Sequence, residues 1–331
     1  MQKSVLSLVS AVAAANLKVG VTSDPHYNAY YSPTSSANHC LSTTEANDVY
    51  APVGRYECDT TPAMFDLLMS RFKAQFGEVD FLLVPGDHVA HNVSAKDTDA
   101  DSSHYAAVKK NLSATWDMFK HYFPNTLILP TIGNNDARYH DQAIDESDKA
   151  DYYKFIYELW FKNFDGNQDL NLNQIQSTLN QAGHYRADIN GRLSVLQLNS
   201  MYMAYDDQSA HDGEQKIQLD WLESEFDSAR SEGRKLILLF HIYPGCRYGA
   251  AKLWHDQYNS PYFQLLRDNH DLVVMEVGGH DHYADLRFHT SKGVADIEDA
   301  STSFNFHNLF VAPGMTPYGN SNPGIAMFEL T

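Results

Sequence analysis

Residue types that bind divalent metals recur at five places along this chain, each directly after an apolar run. The five segments are Ser23-Asp24-Pro25-His26, Gly86-Asp87, Gly133-Asn134-Asn135-Asp136, His241-Ile242 and Gly279-His280-Asp281-His282. Each segment alone is more typical of a turn or of a core histidine. Their joint occurrence favours a single site built from seven side chains, which are Asp24, His26, Asp87, Asn134, His241, His280 and His282.

The chemistry of this set indicates a pair of cations. Mixed imidazole and carboxylate ligands suit zinc, manganese or iron better than calcium. Seven ligands exceed the needs of one tetrahedral zinc ion, but they serve two ions if one carboxylate bridges them. Two cations roughly 3.5–4 Å apart stabilise the attacking and departing oxygens of an in-line displacement. A water molecule that bridges them becomes hydroxide near neutral pH, so the set predicts a two-metal centre with a bridging hydroxide.

The elements that carry these residues alternate between strands and helices, which predicts an α/β fold. Three of the apolar runs lack polar alternation, as is typical of strands buried on both faces. Ligands in such folds lie beyond the carboxyl ends of the strands. The predicted strands are 17–22, 79–85, 126–130, 193–198, 235–242, 272–277, 308–312 and 325–330, and the predicted helices are 63–76, 105–123, 147–164, 214–229 and 262–268.

The segment that contains His280 and His282 carries its own geometric expectation. Alternate residues of an extended segment face the same way, so the two imidazoles are expected on one side of the chain.

Composition limits the partners. The 331 residues include 24 Lys and Arg against 42 Asp and Glu, a formal charge of −18, and 43% of them are hydrophobic. This charge argues against a nucleic-acid duplex or an anionic membrane as an electrostatic partner. A phosphate substrate stays compatible with it, because bound cations supply local positive charge.

The first 15 residues have the pattern of a secretory signal peptide: a basic start, a short apolar stretch and a small-residue ending. We therefore expect residues 16–331 to form a single catalytic domain. No later stretch approaches about 18 uninterrupted apolar residues, so no stable membrane anchor is expected. The expected location is outside the cell or the lumen of an acidic, lysosome-like or vacuole-like compartment.

Export would change the chemistry of the three cysteines. In an oxidising compartment Cys40 and Cys58 are natural partners across a loop, and their disulfide would add roughly 3 kcal/mol of stability. Three free thiols are the alternative, and Cys246 is expected to be a packed free thiol. Two glycosylation sequons begin at Asn92 and Asn111.

Together, Asp24-Pro25-His26, Gly86-Asp87, Gly133-Asn134-Asn135-Asp136, His241 and Gly279-His280-Asp281-His282 resemble the motifs of the calcineurin-like metallophosphoesterase superfamily. The stretches Gly86-Asp87-x-x-Ala90-His91, His241-Ile242-x-Pro244-Gly245 and Ala312-Pro313-x-x-Thr316-Pro317-Tyr318…Asn322-Pro323-Gly324 are similar to its acid sphingomyelinase-like phosphodiesterase branch. The resemblance implies a four-layer sandwich of two mixed β-sheets flanked by helices, with the metal centre at the carboxyl ends of the strands.

The resemblance also implies hydrolysis of a phosphoric ester by the metal-bridging hydroxide, with a role for each ligand. Asp24, His26 and His282 would bind one ion, Asn134, His241 and His280 the other, and Asp87 would bridge the two. Zinc is the metal usual for the branch, with manganese and iron as alternatives. Asn134 is also expected to donate to a phosphoryl oxygen, and Asp136 to orient its loop.

One position departs from the family pattern. Many members have a histidine where this chain has Asn135, and that histidine helps to protonate the leaving group; a neutral amide cannot do so. His140 and His91 are the candidate replacement acids. The alternatives are that His140 is only a surface residue and that His91 supports a ligand or has a structural role. Without an acid, substrates with good leaving groups are favoured.

Three functions therefore stay open from the sequence. The first is a secreted acid sphingomyelinase-like phosphodiesterase, whose substrates include lipid head groups. The second is a phosphoanhydride hydrolase acting on nucleotides or polyphosphate, and the third is a metal-containing binding protein. Four aromatic residues near the ligand segments are expected either to stack on a base or enclose a choline, or to pack in the core: Tyr27, Tyr243, Trp254 and Tyr283.

Overall fold

The computed structural model describes residues 16–34, 40, 50–93, 105–162, 164, 170–208, 211, 213–247, 251–290 and 306–331. The strands of this part are β1 (Leu17–Val21), β2 (Phe81–Val84), β3 (Leu127–Pro130), β4 (Tyr185–Asn190), β5 (Leu193–Gln197), β6 (Lys235–Leu239), β7 (Val273–Gly278), β8 (Asp285–Thr290), β9 (Phe306–Val311) and β10 (Ala326–Leu330). Its α-helices are α1 (Pro62–Phe76), α2 (Ala106–Tyr122), α3 (Lys149–Trp160), α4 (Leu172–Ala182), α5 (Glu214–Glu232) and α6 (Asp256–Asp268).

The strands form two mixed sheets. The first has the order β10-β1-β2-β3, in which β1, β2 and β3 are parallel and β10 is antiparallel to β1. The second has the order β4-β5-β6-β7-β9-β8, with four parallel inner strands and an antiparallel strand at each edge. The predicted α/β fold with two mixed sheets flanked by helices is therefore confirmed.

Strand β6 shows how the second sheet is covered on both faces. Leu236 and Leu238 belong to a core shared with α5 and α6. Ile237 and Leu239 belong to the other core, which contains residues of the first sheet and of α1 to α4. Because side chains alternate across a strand, each face of β6 contacts a different apolar layer. This explains the continuous apolar sequence of the strand.

Local sequence signals fix some helix ends. Thr61 Oγ1 accepts a hydrogen bond from the backbone N–H of Met64 at 3.0 Å, and Pro62 occupies the first turn of α1. Helix α6 begins at Asp256 and contains Pro261, so the predicted start at residue 262 is wrong. Proline is unfavourable inside a helix, which is why the sequence suggested a later start.

The structure adds three elements that the sequence pattern did not predict: β4, β8 and α4. Helix α4 is rich in Asn and Gln, yet it buries Ile175, Leu179 and Ala182 along one face. The two strands lie at the edges of the second sheet, where charged residues interrupt apolar alternation.

The cysteines divide as a pair and a single thiol. Cys40 and Cys58 form a disulfide with their Cα atoms 5.4 Å apart. Cys246 is free, and it is exposed rather than packed, which corrects the expectation for this residue. Its neighbours in the sequence, Gly245 and Arg247, are only partly buried, so the segment lies near the surface.

The two sequons differ in accessibility. Asn111 is fully buried on α2, and its Nδ2 donates to the carbonyl oxygen of Tyr27 at 2.7 Å. A glycan at this position is incompatible with the fold. Asn92 is exposed.

The predicted signal peptide, residues 1–15, lies outside the described residues. Within the described ranges, none of the helices combines the length and apolar character needed to cross a membrane.

Candidate metal centre

The five ligand segments meet at the carboxyl ends of parallel strands from both sheets. Asp24 and His26 follow β1, Asp87 follows β2, and Asn134 follows β3. His241 follows β6, and the last two histidines follow β7. The carboxyl ends of parallel strands share one edge of a sheet, and the two sheets bring their edges together here.

One group of potential metal ligands consists of Asp24, His26, Asp87 and His282, whose ligand atoms all lie within 4.8 Å of one another. His26 Nε2 is 3.1 Å from His282 Nε2 and 3.3 Å from Asp87 Oδ2. His282 Nε2 lies 3.5 Å from Asp24 Oδ1. All four residues are buried, so the group is enclosed by protein.

A second group consists of Asp87, His241 and His280. Asn134 belongs with it, because its Oδ1 lies 2.8 Å from His241 Nε2 and 3.0 Å from His280 Nδ1. Asp87 is common to both groups: its Oδ2 is 3.3 Å from His26 Nε2 and 3.4 Å from His241 Nε2. This is the position that a bridging carboxylate requires.

The backbone around these residues is unusual. Asp24, His26, Asp87, His280 and His282 all have positive φ, which is rare for residues other than glycine. The expectation of an extended segment through His280 and His282 is therefore wrong. The two imidazoles still reach the centre, and each belongs to a different group. Such strain is typical of functional sites.

Two glycines allow the groups to approach. At Gly133 an added Cβ would lie 2.2 Å from Asp87 Oδ1. Gly86 has a φ of +78°, and a Cβ there would lie 2.7 Å from His241 Nδ1. Any larger residue at either position would displace a member of the site.

The outer ring nitrogens of three histidines are 2.6 to 3.2 Å from backbone carbonyl oxygens. His26 Nδ1 bonds to Val89, His241 Nδ1 to Pro85 and His282 Nδ1 to Tyr318. A carbonyl oxygen only accepts, so each Nδ1 carries the hydrogen and each neutral ring presents an Nε2 lone pair to the centre. Lone pairs would then face one another and the Asn134 oxygen. This arrangement requires positive charge between them, so the donor set fits metal ions.

The titration behaviour agrees with this requirement. Burial alone would lower the pKa of His26, but the charge of Asp87 and a hydrogen bond to it raise that pKa to about 9. Burial likewise opposes protonation of His241, and Asp87 raises its pKa to about 10. Burial would raise the pKa of Asp87, but His241 and His26 hold it well below the usual value. The chain therefore binds one proton in each group when no cation is bound there.

His91 lies beside the first group. Its ring stacks on His26 with centroids 4.0 Å apart, and one of its ligand atoms lies within 4.8 Å of those of His26 and His282. Asp59 fixes its orientation: one carboxylate oxygen lies 2.8 Å from His91 Nδ1, and the other accepts from the His91 backbone N–H at 2.8 Å. Thr316 donates to the same carboxylate at 3.3 Å.

His140 lies on the opposite side, next to Asn134. Its Nε2 is 3.0 Å from Asn134 Nδ2, and its Nδ1 is 3.1 Å from Asp141 Oδ2. A hydrogen bond to Asp141 raises the pKa of His140, while burial opposes the increase. The side chain is 55% exposed. His140 thus contacts a predicted ligand, Asn134.

Asn135 and Asp136 support the loop. Asn135 donates to both oxygens of Asp87, from its backbone N–H at 2.8 Å and from its Nδ2 at 2.9 Å. Asp136 accepts from the backbone N–H groups of Gly133 and Val89 at 2.8 and 2.9 Å. Asn135 therefore orients the shared carboxylate.

Asp59 was not predicted as a site residue, because no strand precedes it and the other site residues all follow strands. Its one signal is an acidic residue beside Cys58, at the disulfide that fixes this segment. The four aromatic residues near the ligand segments differ in exposure. Tyr27, Tyr243 and Trp254 are buried in the core, whereas Tyr283 is 47% exposed.

Comparison with known proteins identifies the family. The calcineurin-like phosphoesterase model matches residues 17–284, so the chain belongs to that family. This confirms the predicted superfamily and, with it, the predicted class of enzyme, a hydrolase of phosphoric esters.

The chain is 25% identical to mouse acid sphingomyelinase-like phosphodiesterase 3b over 92% of this chain and 65% of that protein. It is 24% identical to an endopolyphosphatase of Schizosaccharomyces pombe over 80% of this chain and 47% of that protein. The chain therefore spans about half to two thirds of these relatives. The predicted similarity to acid sphingomyelinase-like phosphodiesterases is confirmed.

A solved structure supports the fold. A dimetal phosphatase from Danio rerio superposes with a TM-score of 0.54 at 11% identity, covering 94% of this chain and 91% of that chain.

Proposed function

We propose that this chain is a secreted, metal-dependent phosphodiesterase that hydrolyses phosphoric esters in the manner of acid sphingomyelinase-like enzymes. The observation that carries the proposal is the convergence of seven side chains into two groups that share Asp87. A binding protein has no need of two metal groups that share one carboxylate. The signal pattern of residues 1–15 and the Cys40–Cys58 disulfide support secretion or an acidic lumen.

The roles follow from the two groups. Asp24, His26 and His282 would hold one ion, Asn134, His241 and His280 the other, and Asp87 both. Zinc suits this donor set, as do manganese and iron. When bound, the two cations supply positive charge to the phosphoryl oxygens and increase the acidity of a water molecule.

Other residues of the chain orient the ligands and donate a proton. Asn135 and Ser23 fix the carboxylates of Asp87 and Asp24 by hydrogen bonds of 2.5 to 2.9 Å. Asp59 holds His91 with its ring against His26, so we assign the proton donor for the leaving group to His91. His140 contacts Asn134, so we assign it the positioning of that amide. A well-placed acid contributes about 10²- to 10⁴-fold to a rate.

The second candidate function is hydrolysis of a phosphoanhydride such as a nucleotide or polyphosphate. Asn135 favours it, because this residue binds Asp87 and has no proton to give to a poor leaving group. The similarity to an endopolyphosphatase is compatible with it.

A substrate panel tests the proposal. Purified protein would be supplied with Zn²⁺ or Mn²⁺ and assayed with bis-p-nitrophenyl phosphate, sphingomyelin, CDP-choline, ATP and polyphosphate. We expect turnover of the diester model compound and of one natural class. Metal-loaded protein that hydrolyses none of these compounds would refute the enzymatic function.

A further inference from the structure

A buried carboxylate and a guanidinium lie beside the metal centre, outside the seven-residue set. Asp281 stands between His280 and His282 in the sequence, and its side chain is only 3% exposed. It accepts hydrogen bonds from the Tyr243 hydroxyl and from Arg247 Nη2, the latter at 2.9 Å. Arg247 is therefore tied to the loop that carries two of the predicted ligands.

The turn that presents Arg247 is held in place. The backbone N–H of Arg247 donates to the carbonyl oxygen of Ala251 at 2.8 Å. Cys246 pairs with Lys252 in an isolated antiparallel β-bridge. Arg287 donates to the carbonyl oxygen of Cys246 and lies over the ring of Tyr243, 4.5 Å from its centroid. The guanidinium of Arg247 thus has a defined position with little conformational entropy left to lose on binding.

Arg247 keeps donors that Asp281 does not use. A guanidinium has five N–H groups, and the ion pair with Asp281 is made by Nη2. Its buried Nε has no hydrogen-bond partner among the described residues. The side chain is 39% exposed, so an anion from solvent can reach it.

Arg247 is linked to the metal ligands through Asp281. Its Nη2 lies 2.9 Å from Asp281 Oδ1, and Asp281 stands directly between His280 and His282 in the sequence. The chain has a formal charge of −18, so its overall composition does not predict a positive group at this place.

We propose that Arg247 binds a second phosphoryl group of the substrate, the neighbour of the one that is cleaved. Guanidinium groups bind phosphate through paired, charge-assisted hydrogen bonds. The site would then select phosphoanhydrides, such as inorganic polyphosphate and nucleoside di- and triphosphates, over phosphodiesters whose remaining groups are neutral or cationic. This inference rests on the proposed two-metal hydrolase, and it names phosphoanhydrides, the second candidate function, as the substrate class of the same site.

The first test compares two substrates in three variants. Tripolyphosphate has a neighbouring phosphoryl group and bis-p-nitrophenyl phosphate has none. We expect Arg247→Gln to lower kcat/KM for tripolyphosphate about 10- to 100-fold, the effect of losing a charge-assisted hydrogen bond, and to change the diester value less than about twofold. Arg247→Lys, which keeps the charge, should recover part of the loss.

Arg230→Gln is the matched control. Arg230 pairs with Asp271 at 2.9 Å, but Asp271 precedes β7 whereas Asp281 follows it, so this ion pair lies at the other end of the strand. We expect Arg230→Gln to leave kcat/KM unchanged for both substrates. An equal loss for both substrates in Arg247→Gln, or no loss for either, would overturn the inference. So would a parent protein that hydrolyses only the diester.

A binding measurement separates this inference from the proposed function. Methylenediphosphonate cannot be hydrolysed, and its binding to protein with excess Mn²⁺ is measured by calorimetry beside that of inorganic phosphate. We expect the parent to bind the diphosphonate at least about tenfold more tightly than phosphate and Arg247→Gln to lose that preference. Parent protein without the preference would overturn the inference even if it hydrolyses diesters. A preference that depends on Arg247, in protein without turnover, would support the subsite and refute the enzymatic function.

Discussion

Replacing His140 with alanine separates two roles for this residue, positioning of Asn134 and proton donation. His140 Nε2 is 3.0 Å from Asn134 Nδ2, while Asn134 Oδ1 lies 2.8 Å from His241 Nε2. Without His140, the hydrogen bond that selects one orientation of the Asn134 amide is lost. The amide can then rotate and place its NH₂ group toward the imidazoles. Removing such an outer partner of a metal ligand typically weakens metal binding 10- to 100-fold.

Because His140 is more than half exposed, water replaces part of the lost contact, and we expect about a tenfold loss. The loss should fall on one ion only, since the group of Asp24, His26 and His282 does not include Asn134. Calorimetric titration of metal-free protein with Mn²⁺ measures both affinities. His140→Gln keeps an acceptor and should recover most of the affinity, and the exposed His121→Ala is the control.

The same variant is then assayed with aryl phosphodiesters of increasing leaving-group pKa. Positioning predicts an equal decrease in kcat/KM for every ester. A decrease that grows with leaving-group pKa, at unchanged metal affinity, would show that His140 donates the proton and would refute the assignment of that role to His91.

Three further predictions concern Asp87, the site protons and a glycine. Asp87→Asn should weaken binding of both ions at least about 100-fold and abolish turnover, as metal analysis and the diester assay would show; retained turnover would exclude a bridging role. In metal-free protein, His26 and His241 have pKa values raised to about 9 and 10, so their stabilising contribution is complete below pH 6.5 and is lost as the pH rises through 9 to 10. Urea unfolding should show the free energy of unfolding falling by up to about 1.4 kcal/mol per pH unit and group above pH 6.5, and a flat profile would contradict this. Gly133→Ala should destabilise the protein by about 1–3 kcal/mol in the same assay, because its Cβ would meet Asp87, whereas Gly191→Ala, with open space around it, should be neutral; equal effects would contradict the close approach.

Sequence reasoning predicted the strands that lead to the ligands because these strands are buried on both faces and read as unbroken apolar runs. It did not predict β4, β8 and α4, whose polar residues obscure the period of their buried positions. Helix α5 shows the same limit. Ile217 looks like a core residue in the sequence but is exposed, while Gln218 is buried, where it exchanges two hydrogen bonds with the backbone of Asn199.

The candidate site, like the fold, was only partly predictable from the sequence. Residue types at strand ends were enough to select the seven side chains that the structure brings together. The contacts of Asp59 with His91 and of Arg247 with Asp281 join residues far apart in the sequence, with no periodic pattern to indicate them. The left-handed conformations of His280 and His282 were also beyond reach, because only tertiary contacts stabilise such strain in residues other than glycine.

The most direct measurement is the metal content of purified protein, by elemental analysis after equilibration with Zn²⁺ or Mn²⁺, together with anomalous scattering from crystals of the same material. We predict two ions per chain, one between His26 and His282 and one between His241 and His280, with Asp87 contacting both. A single ion, or two ions that lie away from Asp87, would contradict the dinuclear centre.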